Sequence, residues 1–165
     1  MKTRVGLGFD VHPFDNGRPT LVLGGVQLPG PGLAGHSDAD VVAHAVADAM
    51  LGAAGLGDLG TMFPADDAEH RNADSLQLLR AVVDRVSAAR WWVENVDVVV
   101  AAEQPRLAPH LTKMIANLSG ALAAGGEPMG GGVAVSVKPK RAEGLGSIGR
   151  GEGIAAWAVA LLARP

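Results

Sequence analysis

HSDADVVAHAVADAMLGAAGLGDLGTMFP, residues His36 to Pro64, opens with a polar cluster, runs into an Ala/Val-rich segment carrying His44, and leaves through Gly57-Asp-Leu-Gly60. Ser37-Asp38-Ala39-Asp40 resembles a capping box with Asp in place of Glu. That predicts Ser37 as N-cap, His36 just outside, and a helix to about Leu51, loosened by Gly52 and Gly55. Amides exposed at such a start, aided by the helix dipole, would form an anion site. Asp40, His44 and Asp48 stand at i, i+4 and i+8, a polar stripe on an otherwise buried-looking helix. A histidine in an apolar helical run needs either a hydrogen-bonding core partner or a metal.

Working outward, Arg4 to His12 (RVGLGFDVH) reads as a strand. Val5, Leu7, Phe9 and Val11 share one face, and Gly6, Gly8, Asp10 and His12 the other, so Asp10 and His12 stand side by side. Pro13 is expected to end the run. Thr20 to Leu28 reads as a second strand interrupted by Gly24-Gly25, and Pro29 to Gly32 as a turn. Downstream, Asp74 to Arg90 carries an apolar stripe of Leu76, Leu79, Val82, Val83 and Val86 and reads as an amphipathic helix. Val96 to Ala102 is a β-branched central strand. A helix over Leu111 to Ala124, a last strand over Val133 to Lys138 and a last helix over Ile154 to Ala163 complete the chain. The order β-β-α-α-β-α-β-α predicts an α/β sandwich, with helices packed on one face of a mixed four-stranded sheet. No repeat or linker divides it, so residues 1–165 are expected to form a single domain.

Composition narrows the function. With 48% hydrophobic and 19% charged residues the chain is apolar for a soluble monomer, which favours contacts between copies of itself. Its apolar residues come in runs too short to span a bilayer, and MKTRVGLGFD lacks a secretory core, so a cytoplasmic protein is expected. Zero cysteines rules out disulfides, thiolate metal sites and cysteine nucleophiles, leaving any metal to His and carboxylates. Fourteen Lys+Arg against 17 Asp+Glu, with no Tyr, disfavours nucleic acid as a partner.

Four groupings could carry chemistry. Asp10, His12 and His44 would form a three-ligand site with a fourth position open, the pattern of catalytic zinc; alternatively His12 is a surface strand end and His44 a hydrogen-bonded core residue. His36-Ser37 is either a plain helix start or a phosphate contact. Lys138 to Gly153, with its cations and repeated glycines, suits polyphosphate but matches neither a Walker A loop nor a dinucleotide fingerprint. Glu103-Gln-Pro-Arg106 follows the central strand, a common ligand position.

Together, Gly8-Phe-Asp-Val-His12, Gly35-His-Ser-Asp-Ala-Asp40 with His44, Gly57-Asp-Leu-Gly60 with Phe63-Pro64, and Gly149-Arg-Gly-Glu-Gly153 resemble, in order and over nearly the whole chain, the 2-C-methyl-D-erythritol 2,4-cyclodiphosphate synthase family. The resemblance implies that Asp10, His12 and His44 hold zinc, leaving its fourth position to the substrate's β-phosphate. It implies that His36 and Ser37 contact phosphate, with His36 steadying the transition state, that Asp58, Leu59 and Gly60 hold the sugar part, and that Phe63 to Asp67 form the neighbouring substrate-binding loop. It assigns Ala102, Pro105, Arg106, Leu107 and Ala108 to the cytosine loop. Glu143 would hold a second ion, Mg or Mn, between the α- and β-phosphates. Lys140, Arg141, Ala142, Ser147 and Arg150 complete the substrate contacts. The family is a homotrimer with active sites between subunits, acting on a cytidine diphosphate-linked small molecule with no nucleic-acid or membrane partner.

The chain also departs from the family pattern. Lys140-Arg-Ala-Glu143 stands where Thr-Thr-Thr-Glu is usual, so Arg141 occupies the position of a threonine that stabilises the transition state, and a guanidinium can replace a hydroxyl at phosphate. Ser147 stands for a frequent Phe, Ala65 for a frequent Asp, and Arg106 for the usual Lys. The competing readings are a metal-dependent phosphohydrolase, a trimeric isoprenoid-binding module, and a structural trimer with His44 in its core.

Overall fold

The computed structural model describes residues 1–64, 72–125 and 132–164; the expectations on Ala65 and Asp67 lie outside them. The long strand β1 (Lys2–Asp15) is followed by β2 (Leu21–Leu23), β3 (Val26–Leu28) and β4 (Gly32–Leu33). Helices α1 (Val41–Ala54), α2 (Leu59–Met62) and α3 (Ser75–Ala88) come next, then β5 (Trp92–Ala101) and α4 (Leu111–Leu122). β6 (Ala134–Lys140), α5 (Gly146–Gly149) and β7 (Gly153–Arg164) complete the order. The described residues form a mixed five-stranded sheet in the order β4-β1-β7-β5-β6, with β2 and β3 as a separate two-stranded ribbon. Only β5 and β6 run parallel.

Five strands stand where four were expected, chiefly because Ile154–Ala163 is no helix. It lies within β7, paired antiparallel to β1 on one side and β5 on the other. Its alanines favour a helix intrinsically, but burial overrules them. Ala156, Ala158 and Ala160 face the helices and are buried, whereas Trp157 and Val159 face outward. That small-large alternation has a period of two. Val133–Lys138 is accordingly not the last strand. Nor does Pro13 end β1, which continues to Asp15: beyond His12 only the two-residue β4 flanks its outer side, so a residue with no N–H is tolerated. The expected interrupted strand at Thr20–Leu28 is the β2–β3 hairpin, whose turn residues Gly24 and Gly25 have φ of 55° and 69°.

The most consequential correction concerns α1. The helix starts at Val41, not after Ser37, and runs to Ala54 before Gly55 caps it. Its N-cap is the fully buried Asp40, whose Oδ1 accepts the amides of Val42 and Ala43, both at 3.1 Å. The same carboxylate accepts Gly24 N at 2.9 Å and Gly25 N at 2.7 Å, binding the hairpin turn to the helix start. The α1 amides expected to attract an anion are therefore held by Asp40. Ala39 takes φ 58° just before it, which blocks helix between Ser37 and Asp40.

Helix α1 lies directly on β1 because nothing separates them. A Cβ on Gly8 would stand 1.9 Å from the Ala45 carbonyl oxygen, and one on Gly6 1.9 Å from that of Ala49. Ala45 and Ala49 are one turn apart and Gly6 and Gly8 two residues apart, so the small faces match in register. Asp10 and His12 follow Gly8 on the same face of β1, and His44 precedes Ala45. Close packing thus fixes the three groups against one another. The opposite face of β1 and β7 keeps Val5, Leu7, Phe9, Val11, Trp157 and Val159 exposed, between 40% and 69%. No helix of the described residues is long and apolar enough to cross a membrane.

Candidate functional site

Asp10, His12 and His44 each offer one ligand atom, and these atoms lie within 4.8 Å of one another. Asp10 Oδ2 is 3.1 Å from His12 Nε2 and 2.9 Å from His44 Nδ1. Burial alone would raise the Asp10 carboxyl, but hydrogen bonds to His12 and His44 more than offset it and hold it well below the usual carboxylate range. The hydrogen bond to Asp10 raises the His12 imidazole above its ordinary value, against a smaller effect of burial. Donors around a tetrahedral zinc stand roughly 3.3 Å apart, so two imidazoles and a carboxylate with these separations fit such an ion. The expected grouping of the three residues is the one the structure has.

The outer edge of His44 is held as well. Its Nε2 lies 2.8 Å from Ser75 Oγ and 3.2 Å from Ser37 Oγ. Ser75 in turn bonds Asp38, through its hydroxyl to Oδ1 and its amide to Oδ2 at 3.1 Å. Asp40 and Asp48, which share the stripe with His44 in sequence, do not orient it. Asp40 caps the helix, and Asp48 accepts Leu59 N at 2.7 Å. That second bond ties the Gly57–Gly60 loop to α1 one turn beyond His44. In the loop, Asp58 caps the short α2 by accepting Thr61 N at 2.7 Å, and Leu59 and Phe63 pack against the core.

His36 and Ser37 sit in a segment pinned from several sides. The Arg18 guanidinium donates to Ser37 O at 2.6 Å and to Gly35 O. Asn72 N donates to His36 O at 2.6 Å, and Asp38 N to Ala73 O at 3.1 Å. The backbone is fixed while the His36 side chain stays exposed. Arg18, Asp38 and Ser75 escaped the sequence reading. Arg18 serves through backbone carbonyls, which leave no pattern, and Ser75 lies 31 residues from His44; Asp38 reads as ordinary helix-start chemistry.

A second cluster occupies the C-terminal ends of the parallel strands β5 and β6. A cavity of about 410 Å³ is lined by Ala102 to Ala108 with Pro139, Lys140 and Arg141. The whole expected cytosine loop is there. Arg141 does not point freely into it: Nε donates to Glu103 Oε1 at 3.1 Å, Nη2 bonds the same oxygen, and Ala142 N donates to Oε2 at 3.1 Å. The hydrogen bond to Arg141 keeps the Glu103 carboxyl below its ordinary value and raises the guanidinium in return. Glu143 is exposed at φ 55°, Ser147 is exposed in α5, and Arg150 pairs with Glu152 at 2.6 Å. Ala101 and Asp10 lie opposite Ala155 and Ala156 of β7, so both clusters stand at the same end of the sheet. Among the described residues no hydrogen bond or ion pair joins them.

The chain is similar to known proteins over nearly its whole length. A Bordetella pertussis protein named 2-C-methyl-D-erythritol 2,4-cyclodiphosphate synthase is 53% identical over 162 residues, covering 98% of this chain and 96% of the relative. A Salinibacter ruber protein of the same name is 54% identical over 156 residues, covering 94% and 95%. The Plasmodium falciparum IspF structure, a CDP complex, superposes with a TM-score of 0.80 at 31% identity, covering 98% of this chain and 96% of that one. With residues 3–163 matching its pattern as well, the chain belongs to the YgbB family.

Proposed function

We propose that the protein converts 4-diphosphocytidyl-2-C-methyl-D-erythritol 2-phosphate into 2-C-methyl-D-erythritol 2,4-cyclodiphosphate and CMP. The observation that carries this reading is the convergence of Asp10, His12 and His44 at the end of the sheet that also bears the β5–β6 cavity. An oxygen of the substrate's 2-phosphate attacks the β-phosphorus, the bond from that phosphorus to the α–β bridging oxygen breaks, and CMP departs with it. Nucleophile and electrophile belong to one molecule, so the protein's task is to fold and align it. The nucleophile is already anionic, so no side chain has to remove a proton.

Asp10, His12 and His44 hold a zinc ion, which when bound polarises the β-phosphate as a Lewis acid. Glu143 would hold the second divalent ion, Mg or Mn, which would supply neutralising charge to the diphosphate. His36 and Ser37 meet phosphate oxygens, and the pinned backbone beneath them supplies the alignment. Asp58, Leu59, Gly60 and Phe63, with Asp67 beyond the described residues, hold the sugar part. Ala102, Pro105, Arg106, Leu107 and Ala108 enclose cytosine. Lys140 and Arg141 supply positive charge where the family carries hydroxyls, with Ala142, Ser147 and Arg150 beside them. Arg141 must exchange Glu103 for phosphate to do so.

The exposed apolar face of β1 and β7 supports a homotrimer, with each active site shared between subunits. A trimer would also let the metal cluster of one subunit meet the nucleotide cavity of the next, in keeping with the absence of bonds between the two clusters within the described chain. Phosphorus NMR of the product tests the activity. A cyclic diphosphate with one CMP per turnover supports it; release of a linear phosphate would assign a hydrolase instead.

A further inference from the structure

Ser75 is buried to 1% exposure at the first residue of α3, yet Asp74 already caps that helix by accepting Leu76 N at 2.8 Å. Its hydroxyl is therefore not needed to start the helix. It lies between His44 Nε2 and Asp38 Oδ1. We propose that Ser75 and Asp38 are positioning residues for the metal centre, fixing the ring tautomer of His44 so that Nδ1 presents its lone pair beside Asp10. This rests on the metal reading of Asp10, His12 and His44.

Counting protons gives the direction of the chain. The Asp38 carboxylate can only accept, so the Ser75 hydroxyl proton points to it. Toward His44, Ser75 Oγ can then only accept, which puts the proton of their 2.8 Å contact on Nε2. A neutral imidazole carries one proton, so Nδ1 is left bare. It stands 2.9 Å from Asp10 Oδ2, so without a cation Asp10 competes with the relay for the ring's proton, and with a cation between them the relay keeps that proton on Nε2. Ser37 Oγ takes the Ala39 amide at 3.1 Å, which leaves its own proton for Ser75 Oγ or a phosphate oxygen. The relay thus makes His44 a donor outward and a metal ligand inward, as outer partners of ligating histidines generally do.

Three proteins test this: wild type, Ser75→Ala and Asp38→Asn. Nitrogen-15 NMR of the zinc-loaded protein above neutral pH reads which His44 nitrogen carries the proton and which the metal, and a chelator competition reads zinc affinity. Zinc-loaded wild type is expected to show the proton on Nε2 alone. Ser75→Ala should show a mixture of tautomers and bind zinc about 10–100-fold more weakly, with unchanged circular dichroism. Asp38→Asn, which keeps the shape but can donate toward Ser75, should shift the tautomer the same way and keeps the test open if Ser75→Ala fails to fold. A wild-type ring protonated on Nδ1, or both variants binding zinc within twofold of wild type, would overturn the proposal. Wild type that binds no zinc would remove the metal reading, whereas wild type that binds zinc with the His44 proton on Nδ1 would overturn the relay alone.

Discussion

Replacing Gly8 with alanine would strike the contact that sets α1 on β1. The added Cβ would lie 1.9 Å from the Ala45 carbonyl oxygen and 2.7 Å from the Ala49 nitrogen, both backbone atoms that cannot rotate away. To reach even 3.0 Å from the oxygen, the helix must retreat by about 1.1 Å. Overpacking a tight core costs about 1–3 kcal/mol, and a rigid backbone obstacle puts this case near 3 kcal/mol. In a chain of this length that is a fall of roughly 6–12 °C in Tm. The displacement matters more for the site. Metal–ligand distances tolerate about 0.2 Å, so moving His44 about 1 Å from Asp10 should weaken zinc binding about tenfold or more. Urea unfolding and a zinc titration of the stripped protein measure the two effects. Stability within about 0.5 kcal/mol of wild type, together with unchanged zinc affinity, would refute the claim that the glycine floor positions the site.

Asp40→Ala leaves four amides without their acceptor and should cost about 3–5 kcal/mol in urea unfolding, with Asp40→Asn losing roughly half as much. Asp48 is raised above its ordinary value by burial. The folded state then binds its proton more readily than the unfolded state, so this group adds stability at low pH that is lost as pH rises through its folded value. Asp48→Asn, which keeps an acceptor for Leu59 N, should remove that dependence and match or exceed wild-type stability at neutral pH. Arg141→Ala should lower turnover at saturating substrate in steady-state kinetics, and an unchanged kcat would take that residue out of the reaction.

Much of this architecture could be read from period and spacing, and the failures have physical causes. Of the predicted α3 stripe, Leu79, Val82, Val83 and Val86 are buried and Leu76 is half-buried at the helix start, and Asp10, His12 and His44 meet as expected. Ile154–Ala163 misled because alanine favours helix, while the sheet needs small residues where α1 crosses β7. The start of α1 misled because Ser37 and Asp40 are both good caps; the choice fell to Asp40 through its bonds to Gly24 and Gly25, 16 and 15 residues away. The Ser75–Asp38 relay had no local signature at all. Arg141 matched a family position by sequence, but its ion pair with Glu103 could only come from the β5–β6 register.

The central claim is that Asp10, His12 and His44 hold a metal against the substrate's β-phosphate. Anomalous diffraction at the zinc edge, from crystals of the zinc-loaded protein with CDP, tests it most directly. The account predicts one peak bonded to Asp10 Oδ2, His12 Nε2 and His44 Nδ1, with a β-phosphate oxygen as the fourth ligand. Zinc bound elsewhere, or a His44 ring turned to ligate through Nε2, would contradict it.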